Sequence, residues 1–332
     1  MKNKILLAVI VILAVGLSSA YAGNANRIGT AGAQELLIPA GSRGAALGGS
    51  VVANSSGVDA IYWNPAGLAN LLDGTEAMFT HLPYLADIDV EYAAVGTLIE
   101  DFGTIAVSIK AVNIGDIEET TEDFPDGTGR VFSPSLTVIG LTYARVVTAN
   151  VNFGFTAHVI NESIFEVSAT GFAFDFGFTY ETRFRGLTLG FVMKNYGPDM
   201  EFSGRGFDRI PVDERRPVSS RNVGFELPTS INMGMAYSFL DSGPNFATVS
   251  GNFRANNQSH DSWQGGVEYA YDGHYFLRGG YTYSDQDNYI YGYCMGAGLI
   301  YELGDTELCF EYTWQESDVF DDNQYFTFKV QF

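Results

Sequence analysis

Gly171-Phe172-Ala173-Phe174-Asp175-Phe176-Gly177-Phe178-Thr179-Tyr180-Glu181 sets five aromatic rings against alternating small or charged residues. Consecutive side chains leave an extended backbone on opposite sides, so this is a β-strand with one greasy face and one small or polar face. The same period runs through Ile231, Met233, Met235, Tyr237 and Phe239 against Asn232, Gly234, Ala236 and Ser238. It recurs in Trp263, Val267, Tyr269 and Tyr271, in Leu277, Tyr281 and Tyr283, and in Tyr289, Tyr291, Tyr293, Met295 and Leu299. Followed outward in both directions, the pattern predicts strands near 76–83, 88–99, 103–114, 134–148, 151–163, 170–181, 187–197, 228–240, 246–257, 262–272, 275–284, 289–303, 306–316 and 323–332. Fourteen strands is an even number, as a closed bacterial barrel requires. The facing of the 134–148 strand stays open, because Ile139, Leu141 and Tyr143 alternate with Val138, Thr142 and Ala144.

The ends of the chain and its connections agree with a membrane barrel. Met1-Lys2-Asn3-Lys4 precedes an apolar run from Ile5 to Leu17 and small residues ending in Ala20-Tyr21-Ala22, the layout of a secretory signal peptide cleaved after Ala22. The run is too short for a membrane-spanning helix, which needs about twenty residues. The last strand alternates Phe326, Phe328, Val330 and Phe332 toward lipid with Thr327, Lys329 and Gln331 toward the lumen, and its terminal aromatic matches the signal read by the outer-membrane assembly machinery. If the first strand rises outward, the turns at 100–102, 149–150, 273–274 and 304–305 are inner turns and tight, whereas the longest gaps, 115–133 and 198–227, fall outside.

Composition narrows the function further. Without Lys2 and Lys4 the chain carries 16 basic against 39 acidic residues, so nucleic acid is excluded as a partner. The chain is rich in Gly, Tyr and Phe and has no second apolar run of helix-spanning length, which suits strands that show alternate residues to lipid. Cys294 and Cys309 are read as free thiols. A hairpin turn at Gly304-Asp305 sets Cys309 opposite Ile300 and Cys294 opposite Gln315, a separation of roughly 20 Å that no disulfide spans.

Residues 23–75 lack the alternation and are rich in Gly, Ala, Ser and Asn. They are expected to form a plug segment ahead of a barrel at 76–332, giving an all-β, transmembrane, antiparallel up-and-down barrel with an N-terminal plug. Their most distinctive text is Gly41-Ser42-Arg43-Gly44-Ala45-Ala46-Leu47-Gly48-Gly49 and Asp59-Ala60-Ile61-Tyr62-Trp63-Asn64-Pro65-Ala66-Gly67-Leu68. Glycines permit close backbone packing, and Asn64-Pro65 favours a turn. This text resembles the N-terminal signature of the PorV/PorQ family, barrels related to the FadL long-chain fatty-acid transporters. The likeness is specific over 41–71 and extends to the whole mature chain as a shared plan. It implies that Asn64, Pro65 and Ala66 belong to a hatch obstructing the lumen, and it marks Gly41, Arg43, Gly44, Gly48, Gly49, Asp59 and Gly67 as its companions. Packing of this motif against the wall is the preferred role over direct ligand contact.

The strand facings gather Lys110, His158, Asp175, Glu181, Lys194, Arg254, Glu268, Arg278, Glu302, Glu307, Glu311 and Lys329 in the lumen. Mixed charge there is expected to pair into a hydrated network; an ion-selective pore would show one dominant sign. No Gly-x-Ser-x-Gly elbow occurs. Ser259-His260-Asp261-Ser262 sits on one extended turn, whereas a triad is assembled from distant parts of a fold, so no enzyme is expected. The acidic loops at 116–126 and 316–322 lack calcium-loop spacing, and neither a metal nor a cofactor is expected. Arg205, Arg209, Arg215, Arg216 and Arg221 put local basic charge on the long outer loop, where it can meet lipopolysaccharide or a partner. The expected location is the outer membrane of a Gram-negative-type bacterium. By resemblance the leading expectation is a type IX secretion accessory that meets a translocon and its cargo; the alternative is a FadL-like channel for hydrophobic small molecules.

Overall fold

The computed structural model describes residues 27–71, 73–207, 223–285 and 290–332. The predicted signal peptide, Tyr289, and Arg209, Arg215, Arg216 and Arg221 lie outside them. Fourteen strands build the wall: β1 (Thr75–Pro83), β2 (Asp89–Ile99), β3 (Gly103–Asn113), β4 (Ser135–Thr148), β5 (Val151–Ile164), β6 (Val167–Glu181), β7 (Leu187–Tyr196), β8 (Ser230–Ser242), β9 (Asn245–Asn256), β10 (Ser262–Tyr271), β11 (Tyr275–Ser284), β12 (Tyr291–Leu303), β13 (Thr306–Ser317) and β14 (Asn323–Gln331). Each pairs antiparallel with its sequence neighbour, and β1 pairs with β14 from Glu76↔Gln331 to His81↔Phe326. The sheet therefore has no free wall edge, as a lipid-facing strand requires. The seam is completed by the terminal residue, whose main chain exchanges bonds with Thr75 at 2.7 and 2.9 Å.

The greasy faces point outward. Phe79, Val107, Leu141, Phe172, Val267, Leu277, Met295 and Phe310 are exposed on the wall, whereas their alternating neighbours are buried or half-buried. Tyr180, Tyr237, Tyr271, Tyr275 and Tyr301 stand exposed near the inner strand ends, and Tyr196, Tyr283 and Tyr293 near the outer ends. Two such aromatic belts are the mark of a transmembrane barrel. The 134–148 strand resolves the same way: Ile139 and Leu141 face out, and Val138, Thr142 and Ala144 face in. Cys294 opposes Gln315, Cys309 opposes Ile300, and both thiols are free and buried.

One facing is corrected. Tyr291 was expected on the lipid side with Tyr293, but β12 and β13 shift register between Tyr291 and Cys294. The bulge adds one residue and turns Tyr291 to the side of Ser317, where its hydroxyl meets that of Tyr84 at 2.6 Å. The connection between β8 and β9 is the two-residue turn Gly243-Pro244.

Inside the wall, residues 27–71 form short turns rather than long elements: 3-10 turns at Gln34–Leu37, Gly57–Asp59 and Pro65–Asn70, and helices α1 (Ser42–Ala46) and α2 (Ala60–Trp63). The segment begins at the outer end, where Ala31 bridges Glu226 of the long outer connection and Arg27 pairs with the same glutamate. It finishes at the inner end, against the starts of β1 and β5.

Lipid-face and lumen-face positions should respond oppositely to change. Leu141→Arg places a charge midway along β4, and we expect it to cost about 2–4 kcal/mol. Thr142→Ala removes only the 2.9 Å bond to Thr156 and should cost about 1 kcal/mol. Urea unfolding of both variants in lipid vesicles measures the pair, and equal costs would contradict the assigned facings.

Candidate functional site

The plug lies directly on the wall at three places, and at each the wall offers a cross-strand pair of glycines. Gly154 of β5 faces Gly177 of β6, and a Cβ on either would overlap the Asn64-Pro65-Ala66 turn. Gly190 of β7 faces Gly234 of β8 beneath Val52 and Ala53. Gly266 of β10 faces Gly280 of β11 beneath Leu47 and Gly48. Glycine here is a matter of approach: only a residue without a Cβ lets two backbones touch across the lumen wall.

Side chains of the plug then satisfy the polar groups that such contact buries. Asn64 is fully buried; its Nδ2 donates to Val52 O at 2.7 Å and to Phe178 O at 3.2 Å, and its Oδ1 accepts from Ala66 N at 3.2 Å. Pro65 follows at the first position of its 3-10 turn, where the missing N–H costs nothing. Trp63 donates to Ala40 O at 3.0 Å and covers Gly44 and Gly49, where any side chain would meet its ring. Gly41 (φ 85°) and Gly48 (φ 63°) adopt left-handed backbone, and Gly67 packs on Ser55 O. Ser42 N and Oγ both donate to Thr327 of β14, at 3.0 and 2.8 Å.

Charge is arranged in two groups. In the first, six ionic side chains alternate in sign and the series starts and ends on the plug. Asp59 meets Lys329 at 2.6 Å, Lys329 meets Glu311 at 3.4 Å, Glu311 meets Arg278 at 2.7 Å, Arg278 meets Glu268 at 2.6 Å, and Glu268 takes two bonds from Arg43 at 2.9 and 3.0 Å. Buried charges persist only when paired, and here every one has an opposite neighbour.

The second group surrounds Tyr62 of the plug. Lys110 Nζ lies 4.3 Å and Lys194 Nζ 3.6 Å from the Tyr62 ring centroid. His158 Nε2 and Asp175 Oδ2 are 3.1 Å apart, and Asp175 Oδ1 accepts from Asn195 N at 2.7 Å. These residues, with Leu36, Ile61, Tyr92, Ser108 and Val138, line a cavity of about 30 Å³. Of the other lumen candidates, Arg254 donates to Asn232 Oδ1 at 2.8 Å, Glu307 stands near the inner rim, and Glu181 and Glu302 are exposed there rather than part of either group. Arg205 is exposed at the outer end. Among the described residues no cluster of ligands fit for a metal occurs.

At the mouth, Ala33 and Leu36 of the plug pack with Met200, Leu227, Phe202 and Phe225 from the ends of the long outer connection, over Ile160, Ala169 and Ala173 of the wall. Glu35 is buried beside this seal. Burial pushes its carboxyl up to about 7, and the facing Glu162 carboxylate adds to the shift. The glycine pairs, Tyr62 and Trp63 were not singled out from the sequence, although glycines at inward-facing positions of adjacent strands were a readable signal.

No protein-family model matches the chain, and no curated protein matches it in sequence. Solved structures do. The Pseudomonas putida toluene transporter TodX is 13% identical, with a TM-score of 0.54 over 84% of this chain and 94% of that one. The CymD monoaromatic hydrocarbon channel is 12% identical, with 0.53 over 92% and 97%. A Pseudomonas aeruginosa FadL homologue is 14% identical, with 0.53 over 87% and 96%. At these identities the likeness is one of fold: a fourteen-stranded barrel of the FadL type.

Two outcomes test the seating. Gly154→Val should leave the wall closed but lift the Asn64 turn, at about 1–3 kcal/mol; limited proteolysis should then cut within 50–71, and protection equal to the parent would refute the contact. Glu35 has a folded value above the ordinary carboxylate value, so its contribution is full at acid pH and is lost as pH rises through about 7. Amide protection at residues 33–38, corrected for the intrinsic rise of exchange with pH, should accordingly fall between pH 5 and pH 8, and Glu35→Gln should flatten that dependence.

Proposed function

We propose that this protein is a plugged outer-membrane channel for hydrophobic small molecules. The observation that carries the reading is the apolar seal at the mouth, where Leu36 meets Met200 and Leu227 in a barrel of this plan. A hydrophobic molecule arriving from outside meets apolar surface there, and it can replace one apolar contact by another without stranding a polar group. The names of the similar structures, a toluene transporter and a monoaromatic hydrocarbon channel, support this reading over the type IX expectation.

The type IX reading keeps one observation on its side. Beneath the seal the plug is braced to β5, β7, β10, β13 and β14, and the cavity beside it, at about 30 Å³, is too small for a hydrocarbon. Transport therefore requires the plug arm to yield; an adaptor working through its outer loops does not.

A reversible lock separates the two. Ala31 and Glu226 are bridged, so Ala31→Cys with Glu226→Cys can tie the arm to the outer connection. Entry of toluene and of oleate into vesicles carrying the mature protein should be saturable, fall at least about tenfold on oxidation and return on reduction. Entry unaffected by the lock, or no saturable entry at all, sinks the channel. Loss of surface-protein display on deleting 208–222, with no entry in any state, would favour the adaptor.

A further inference from the structure

We propose that the membrane face of the wall, over β7 to β10, holds one glycerophospholipid of the inner leaflet, its acyl chain in a glycine-floored hollow and its phosphate at the turn that carries Arg183 and Arg185. Gly251 of β9 and Gly265 of β10 are a cross-strand pair, and Gly279 of β11 pairs with Val267 of β10. Their neighbours Ser250, Asn252, Gln264, Gly266 and Arg278 are buried toward the lumen, so these three glycines face the membrane. Close approach of the plug, which accounts for the lumen glycines, does not act here. A Cβ on Gly265 would meet nothing within 4 Å, and on Gly251 or Gly279 only a main-chain oxygen, at 3.8 or 3.9 Å. The ladders that β10 makes with β9 and β11 run in unbroken register, so no bulge needs them either. Glycine weakens a strand, and where neither bulge nor bend requires it, it marks a place where another molecule comes close.

Over Gly251 the wall is hollowed by about 470 Å³, and Leu189, Phe191, Met233, Met235, Phe253 and Trp263 surround the space. That is far more than one missing side chain and within the range of sites that take a small molecule, about 300–1,000 Å³. Behind the hollow the ladders from β7 to β10 are hydrogen-bonded, and Val52 and Ala53 back Gly190 and Gly234 from the lumen. It is therefore a depression in a closed wall, open to the bilayer and not a side exit. Left empty it would forfeit the dispersion contacts that its apolar lining can make, and acyl chains are what the bilayer offers to fill it.

A second observation supplies the headgroup. The inner turn that leads into β7 reads Thr182-Arg183-Phe184-Arg185-Gly186, with both arginines and Phe184 exposed. The other inner turns carry neither Arg nor Lys. The turn is held in place: Thr182 Oγ1 donates to Leu187 O at 2.9 Å, and Gly186 O accepts from Ser238 N at 2.8 Å. Ser238 belongs to β8, the strand of Met233 and Met235, so the basic turn is fastened beside the hollow. Arg185 meets Asp241 at 3.6 Å with side chains 95% and 68% exposed, a surface pair that leaves most guanidinium donors available.

Depth joins the two parts. Leu189 lies three residues beyond Gly186, roughly 10 Å along the strand. The hollow therefore falls in the inner half of a hydrocarbon layer about 30 Å thick. A lipid with its phosphate at the turn carries its chain past Leu189 to Gly251 and Gly265, which share a row of the sheet with Leu189 and Met235. Two guanidiniums suit the several oxygens of a phosphate, and the exposed Glu181 and Asp241 beside them suit the ammonium of an ethanolamine headgroup. A second copy of this chain fits worse, because a two-fold axis sets hollow against hollow and brings the two basic turns together. Since the ladder behind the site is closed, its occupancy is independent of what passes through the lumen.

The test uses the mature full-length protein in detergent, titrated with phosphatidylethanolamine brominated on its acyl chains. Trp314→Phe is present throughout, so that Trp263 reports the hollow and Trp63 lies shielded in the lumen. Quenching should saturate at one lipid per protein. Arg183→Gln with Arg185→Gln should raise the midpoint at least about tenfold, and brominated diacylglycerol, which lacks the phosphate, should need a similar excess. Gly265→Leu fills the floor from the membrane side and should abolish saturable quenching while the unfolding temperature stays at or above that of the parent. The parent protein imaged in nanodiscs of the same lipid should show one chain-shaped density running from the turn into the hollow, a result that needs no variant to fold. Quenching that rises without saturation, or that is unchanged in either variant, overturns the proposal, as does a hollow occupied by a second copy. Failure of hydrocarbon entry would count against the channel and leave each of these outcomes as it stands.

Discussion

Close approach of two backbones is the constraint on which the interior depends. A barrel of fourteen strands is wider than its own side chains can fill, and the remaining space is taken by a segment with little regular structure of its own. Such a segment brings many peptide groups into a dry lumen, and each must find a partner there. The pairs Gly154 and Gly177, Gly190 and Gly234, and Gly266 and Gly280 let it lie directly on the wall. Asn64, Ser42 and Trp63 then take up the polar groups that would otherwise be stranded. A methyl group at five of the six would overlap the plug, and at Gly234 it would press on the Val52 side chain.

The two charged groups answer different needs. The series from Asp59 to Arg43 is neutral in sum, and its terminal members belong to the plug, so it acts as a brace whose strength depends on every link being present. The group at Tyr62 is built from aromatic and cationic contacts, with Asp175 engaged by His158. A brace resists displacement, whereas the Tyr62 group seats one plug side chain between two separate strands of the wall.

Much of the wall was legible in the chain because it rests on a local rule. Period two gave fourteen strands, and the parity of the short connections gave the inner end. What escaped was whatever is decided between distant residues. The turning of Tyr291 follows from a bulge that exists only against β13. Lumen charges were anticipated as paired, but their partners on the plug, Arg43 and Asp59, depend on where a loop-like segment comes to rest. Glycines such as Gly177 and Gly234 read as merely small, since their cross-strand partners and the turn above them are set by register and by the third dimension. The resemblance around 41–71 located the plug's most structured part, and its preferred family, PorV/PorQ, found no support in the comparisons, which lead to hydrocarbon channels.

The seam between β1 and β14 is more than the place where the wall meets itself. The inward face of β14 carries Thr327, bonded to Ser42, and Lys329, bonded to Asp59, so the strand that closes the wall is also one of the plug's main holdfasts. Zipping β14 onto β1 is therefore most favourable around a plug already lying in place, and poorest around an open lumen. The β1–β14 ladder is thus a latch that holds best on a loaded cylinder.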